Sequence, residues 1–225
     1  MPELYNMMMM KALGGGTGVK ENFDAGKTLE KGSNVTINGS VKTVADNSEI
    51  FNDYENNKAA SSFSHAEGSK TGAAGLYSHA EGYQTVAMGT SSHSEGYNSK
   101  ATGNNSHAEG YGCTSSGIQS HSEGYSNTAS GDSSHAEGLG STASGNHSHA
   151  EGSNTIAASL NQHVQGKYNI SDSSGKYAFI IGNGSSSKRS NAIAVDWDGK
   201  IYVGNSETGI ELNDLLSRIE ALENA

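Results

Sequence analysis

The sequence predicts an all-β chain: a parallel β-roll of 14-residue repeats, then a small β neck and a short C-terminal coiled coil. Three observations carry that reading. The phrase Ser-His-Ala-Glu-Gly, with Ser for Ala twice, begins at Ser64, Ser78, Ser92, Ser106, Ser120, Ser134 and Ser148, always 14 residues apart. Small residues alternate through the other half of each unit. Apolar residues fall in heptad register at the C-terminus.

A fixed short period without insertions means one supersecondary unit stacked on copies of itself, each turn burying its face only against its neighbours. Gln162-His163-Val164-Gln165-Gly166 reads as an eighth, degenerate copy, and Ile50 to Phe63 fills one full period before the first. With Ser as position 1, position 8 is small or polar from Thr71 to Thr155 and position 10 is Ala or Ser from Ala73 to Ala157. Position 12 is Gly from Gly75 to Gly145, then Ser159. A small residue at every second place is the period of a strand, whose alternate side chains share a face. Each repeat therefore reads as two short strands joined by two bends, one near the glycine at position 5. Positions 1, 3, 5 and 8, 10, 12 are expected to face each other across a narrow interior.

What faces outward decides the assembly. Positions 9 and 11 drift, from Val86 and Met88 to Lys100 and Thr102, which suits solvent. Positions 2 and 4 do not drift. His65, His79, His93, His107, His121, His135, His149 and His163 stand beside Glu67, Glu81, Glu95, Glu109, Glu123, Glu137 and Glu151 on a single face. A face held uniform while the opposite one varies is expected to meet something periodic, most simply another copy of the chain. Unpaired ionised Glu is costly to bury, so each Glu is expected to accept a hydrogen bond from a His of its own or a neighbouring chain. Such pairing raises a histidine's pKa and burial lowers it. If pairing dominates, the assembly weakens on the alkaline side of neutrality.

Catalysis needs one distinctive constellation in a pocket, whereas near-identical pairs in a row describe a lattice. Neighbouring Ser and His also point to opposite sides of a strand, so Ser-His-Glu adjacency makes no triad. No catalytic residue, cofactor or metal is assigned. Three His converging on an axis would suit a transition ion, but the adjacent Glu already supplies a partner and eight stacked ions would repel.

This pattern resembles the head repeat of trimeric autotransporter adhesins, the YadA-like head repeat, which reads roughly Ser-Val-Ala-Ile-Gly followed by alternating small residues and Gly. The resemblance spans residues 50–166 and implies a trimeric left-handed parallel β-roll. It departs at positions 2 and 4, where that family places Val and Ile. Those residues line the three-fold interface in the family, so the resemblance implies a homotrimer whose interface is a polar ladder of the His and Glu named above.

Composition agrees with such an object. At 33% hydrophobic residues with 30 Gly, the chain is too poor in large apolar groups for a conventional core, so backbone ladders and oligomerisation must replace it. A formal charge of −10 argues against nucleic acid and anionic membrane as partners, and no membrane insertion is expected. Cys113, the single cysteine, sits at position 8 and reads as a small buried residue.

In chain order, residues 1–18 read as a docking segment and Gly linker. The Met7 to Met10 run has no basic region before it and no small-residue cleavage site after it, unlike a signal peptide. Met side chains suit a docking helix. Residues 19–49 form a small β cap, with Val35-Thr36-Ile37, Asn38-Gly39 and Ser40-Val41-Lys42 as a hairpin that protects the roll's first edge. Residues 50–166 are the roll. Residues 167–205 are an intertwined neck, in which Tyr177 to Ile181 and Ala192 to Val195 are buried strands and Asp198-Gly199 turns the chain into Lys200 to Val203. In residues 206–225, Leu212, Leu215, Ile219 and Leu222 occupy a, d, a and d, with Asp214 and Arg218 outside. Two heptads are marginal alone, so the coil serves as a clamp on chains already held together.

The expected function is structural: a trimeric, fibre-like component of a phage or phage-like tail, such as a tailocin or contractile system, mediating adhesion to the host surface. Its partners would be itself, a tail or baseplate protein docked through the N-terminus, and a host surface receptor, with glycan as one candidate. Its place would be the virion. An autotransporter would carry a secretion signal and a membrane barrel, neither of which is read here, and Ser190 to Lys200 is similar to stalk segments of phage tail fibres. The alternatives are the head fragment of a bacterial cell-surface adhesin, or a carbohydrate-binding module. Tyr83, Tyr97, Tyr111 and Tyr125 form a ladder at position 6, read as corner spacers, with sugar contact as the alternative.

Overall fold

Each coil of the protein lies directly on the one before it, because the same phrase recurs at the same place in every turn. The computed structural model describes residues 34–37, 40–43, 49–51, 58–204 and 210–224. Strands β1 (Asn34–Ile37) and β2 (Ser40–Thr43) pair antiparallel with Ile37 opposite Ser40, the register that an Asn38-Gly39 hairpin requires. β3 (Glu49–Phe51) and β4 (Lys58–Ala59) lead into the roll. There the chain alternates between two sheets: β5 (His65–Ser69), β6 (Gly72–Ala73), β7 (His79–Tyr83), β8 (Val86–Ala87), β9 (His93–Ser94), β10 (Lys100–Ala101), β11 (His107–Ala108), β12 (Thr114–Ser115), β13 (His121–Ser122), β14 (Thr128–Ala129), β15 (His135–Ala136), β16 (Thr142–Ala143), β17 (His149–Ala150), β18 (Ile156–Ala157) and β19 (His163–Lys167). The even strands β4 to β18 make one eight-stranded sheet; the odd strands from β3 belong to a 13-stranded one. This is a parallel β-solenoid of about eight turns, roughly 40 Å long at ~4.8 Å per strand.

Backbone hydrogen bonds hold the coils. In the coil beginning at Ser106, the amides of His107, Glu109, Tyr111, Thr114 and Ser116 all donate to carbonyls of the next coil at 2.8–2.9 Å. The amides of Gly112 and Gln119 donate backwards instead, to Tyr97 and Asn104. They reverse because positions 7 and 14 adopt left-handed backbone, with Asn98 at φ 54° and Gln119 at φ 59° as examples. These corners turn the chain between its two sheets and cost of order 1 kcal/mol each for a non-glycine residue.

The interior is as narrow as the sequence requires. Positions 3 and 10 are fully buried Ala or Ser, from Ala59 to Ala157, and buried Cys113 fills position 8 of its coil. The serines at position 1 turn inward, and Ser106 Oγ donates to the Gly103 carbonyl at 2.7 Å. Position 5 departs from expectation: Gly82 and Gly96 are exposed at φ 103° and 92°. Glycine is required there by close stacking, since a Cβ on Gly96 would fall into the carbonyl of Gly110.

Both ends depart from the strict period. β3 pairs with β5 as Glu49 opposite His65, a 16-residue step, while Lys58 keeps the 14-residue step to Gly72. The expected in-register coil from Ile50 is thus shifted by two residues on one sheet. At the other end β20 (Tyr177–Asn183) stacks parallel on β19 with His163 opposite Phe179, again a step of 16. The extra residues hold a polar plug: Gln162 Nε2 donates to the Tyr177 carbonyl at 3.0 Å and to Asp172 Oδ2 at 3.3 Å. Tyr177 and Ile180 form the largest apolar core here with Val164. β21 (Asn191–Asp196), β22 (Ile201–Val203) and β23 (Ile210–Glu211) continue the same sheet antiparallel. The Asp198-Gly199 turn forms as expected, with Gly199 at φ 81°. Helix α1 (Leu212–Glu223) closes the chain.

Two consequences are measurable. A Cβ on Gly103 would overlap the Gly117 carbonyl, whereas on Gly72 it meets nothing within 4 Å. Gly103→Ala should therefore lower stability in urea by about 1–3 kcal/mol or more, and Gly72→Ala should be neutral or stabilise by up to ~1 kcal/mol. Equal effects would exclude coil contact as the reason for glycine at position 12. The buried hydroxyls of Ser94 and Ser122 have no hydrogen-bond partner, and Ala66, Ala80, Ala108 and Ala136 occupy the equivalent place. Ser94→Ala and Ser122→Ala should each raise stability by about 1 kcal/mol. A lower thermal midpoint for either would show that its hydroxyl is satisfied.

Candidate functional site

Strand alternation builds the outer face. With Ala or Ser at position 3 buried, the flanking His and Glu must point out, and they do so in every coil. Parallel pairing puts His107 opposite both His93 and His121, so the imidazoles stack. From His79 to His149 neighbouring rings are 4.7–4.8 Å apart and within 9° of parallel. The column ends rotate: His65 lies at 88° to His79, and His163 at 35° to His149 and edge-on to Phe179.

Within one chain His and Glu approach one another in two registers, but not every Glu accepts the hydrogen bond expected of it. His65 and His79 meet the Glu of their own coil, at 3.1 Å to Glu67 and 3.7 Å to Glu81. From His107 onward each His reaches back to the preceding coil: Glu95 at 3.9 Å, Glu109 from His121 at 3.8 Å, Glu123 from His135 at 3.4 Å, Glu137 from His149 at 3.1 Å and Glu151 from His163 at 3.5 Å. Hydrogen-bond geometry is met between His65 and Glu67 and between His149 and Glu137. The Nε2 atoms of His79, His93, His107, His121, His135 and His163 are shielded from solvent and make no hydrogen bond, although the side chains of His79, His107, His121 and His135 as a whole are about one-third exposed.

This geometry reverses the expected effect of pairing on the histidines. Burial, followed by repulsion from neighbouring imidazoles, lowers the pKa of His93, His107 and His135; the nearby glutamates oppose this and lose. The carboxyls repel as well. Hydrogen bonds with Glu81 and Glu109 push Glu95 up to about 7. Its neighbour Glu109 is lowered by hydrogen bonds from Glu95 and Glu123, and Glu123 is raised by its bond to Glu109. At these three neighbours the shifts alternate in direction, as coupled like charges at strand spacing do.

The position-6 tyrosines stack likewise, Tyr97 to Tyr111 and Tyr111 to Tyr125 at 4.8 Å and 3°. Their faces cover one another, so the column presents ring edges and hydroxyls. On the outward side of the other sheet no residue type runs the length of the roll; the longest runs are Thr114, Thr128 and Thr142 at position 9 and Ser116, Ser130 and Ser144 at position 11. The inward Ser106 hydroxyl and the outward His107 lie on opposite sides of their strand, as expected. In α1, Leu215, Ile219 and Leu222 are exposed, Leu222 by 78%, and Leu216 joins them. Sequence spacing did not reveal the shielding of Nε2 or the two pairing registers, because both depend on side-chain reach between coils. No protein-family model and no curated protein sequence matches the chain.

The shifts set opposite pH dependences. A histidine with a lowered folded pKa contributes stability that is full above its unfolded value near 6.5 and is lost as pH falls. Glu95, raised, contributes stability that is full below about 4.5 and is lost as pH rises through about 7. His93→Gln should weaken the acid-side loss, and Glu95→Gln the loss between about pH 4.5 and 7, in thermal melts across pH 4–8. Unchanged profiles in both variants would remove these groups from the linkage.

Proposed function

We propose that the chain is a structural attachment protein: a left-handed roll, three copies of which pack their His–Glu faces about a common axis into a fibre-like element of a phage or phage-like tail that adheres to a host surface. The observation that carries this reading is the uniform His–Glu column, half-desolvated in a single chain, with imidazole nitrogens that lack hydrogen bonds. A second and third chain would cover the third of these side chains that one chain leaves exposed. The exposed apolar stripe of α1 favours the same assembly, because a parallel coiled coil buries a and d residues, and Leu212, Leu215, Ile219 and Leu222 would be those residues.

Placement in a tail draws on the similarity of Ser190 to Lys200 to tail-fibre stalks. The repeat itself favours a second reading, the head of a bacterial cell-surface adhesin, and neighbouring genes for tail proteins or for a secretion anchor separate the two. Docking to a tail or baseplate protein is assigned to residues 1–18, which lie outside the described residues. A glycan receptor would meet tyrosine edges and hydroxyls along the roll. Sedimentation of the full chain should give three-chain mass and an elongated frictional ratio at micromolar concentration; a compact monomer would overturn the trimer and the fibre together.

A further inference from the structure

We propose that the outer face of the roll binds divalent transition-metal ions in triplets drawn from consecutive coils, with His65, Glu67 and His79 as one site and His121, Glu123 and His135 as another. This stands on the geometry of one chain and does not depend on the trimer. Imidazole nitrogen together with carboxylate oxygen is a donor set suited to zinc, nickel or cobalt. In each triplet the ligand atoms lie within 4.8 Å of one another.

Distances make the case more specific. Two ligands bound tetrahedrally to one ion at ~2.1 Å stand roughly 3.4 Å apart. His65 Nε2 is 3.1 Å from Glu67 and His135 Nε2 is 3.4 Å from Glu123, so an ion fits each pair with little movement. Two parallel imidazoles are harder to join. Their centroids stand 4.7 Å apart at His121 and His135, more than the ~4.2 Å that two such bonds can span. One ring must turn out of the stack on binding. His65 and His79 are already at 88°, which makes their triplet the best prepared. The Nε2 atoms of His79, His121 and His135 make no hydrogen bond in the chain, so an ion displaces none of theirs.

Shared residues limit occupancy. Among the described residues there are five triplets; Glu81-His93-Glu95 and Glu95-His107-Glu109 share Glu95, and His121-Glu123-His135 and His135-Glu137-His149 share His135. One ion from each overlapping pair and one at His65 make three per chain. Filled sites then lie about two coils apart, roughly 10 Å, with a carboxylate at each to offset the ion's charge.

Equilibrium dialysis of the full chain against Zn2+ at pH 7.5, with Mg2+ in parallel, tests the proposal. Up to three retained Zn2+ per chain are expected, and no retained Mg2+, which favours all-oxygen sites. His121→Gln with His135→Gln removes both triplets at that end and should lower the count by one. His147→Gln, an exposed histidine outside the column, should keep the full count. If the histidine double variant does not fold, Glu123→Gln with Glu137→Gln removes the same two triplets and should lose the same equivalent. Absence of Zn2+ retention, or a full count in the folded double variants, would overturn the assignment.

Discussion

In-register stacking of identical coils at strand spacing is the constraint on which the rest of the structure depends. Each side chain of the repeat meets its own copy 4.7–5.0 Å above and below, as the His and Tyr columns show. For alanine inside and tyrosine at the corner this is favourable contact. For glycine at positions 5 and 12 it is a steric demand, since the next coil's carbonyl occupies the place of a Cβ. For His and Glu it sets like beside like, and the upward shift of Glu95 and the imidazole repulsion that adds to burial in lowering His93 follow from that spacing.

The same constraint explains how the protein holds together with so little apolar mass. Buried Ala, Ser and Thr contribute modest hydrophobic stabilisation per coil, while amides and carbonyls from both strands and both corners of each turn bond to the next. Stability is therefore close to a sum of nearest-neighbour interfaces. That makes the ends critical, because a terminal coil lacks a neighbour on one side. The exit end answers with Tyr177, Ile180 and Val164 and with a change to antiparallel pairing that ends the ladder.

Much of this was legible in the sequence because period and alternation are properties of spacing alone. Ala66 inward, His65 and Glu67 outward, the Asn38-Gly39 hairpin register and the Asp198-Gly199 turn all follow from residue type and interval. The left-handed corners at position 14 were not legible. At most of them, as at Tyr77, Ser91, Gln119 and Ser133 with φ 52–59°, the residue type does not favour that conformation, and the inter-coil hydrogen bonds impose it. A partial signal lies in Asn98, Gly112, Gly140 and Asn154 at position 7 and in Asn105 and Asn161 at position 14. The exposure of the position-5 glycines and the two-residue steps at both ends were hidden for a related reason: each is set by how a coil meets its neighbour, which a single coil's sequence does not record.

A column this regular has a property that its individual pairs do not. Sliding one copy against another by a whole coil restores every His–Glu contact, so a uniform ladder can fix rotation and spacing between chains but cannot by itself fix axial register. Register must come from the places where the repeat fails. There are such places at both ends: the His65–His79 pair at right angles and the shifted β3 below, and the His163 ring turned against Phe179 and the shifted β20 above. Helix α1, with its unburied Leu215, Ile219 and Leu222, adds a contact that aligns chains only when their ends are level. In an assembly of several copies, then, the repeat would supply length and stiffness, and the irregular ends would supply alignment, so the segments outside the repeat would matter as much to such an assembly as the phrase that dominates the chain.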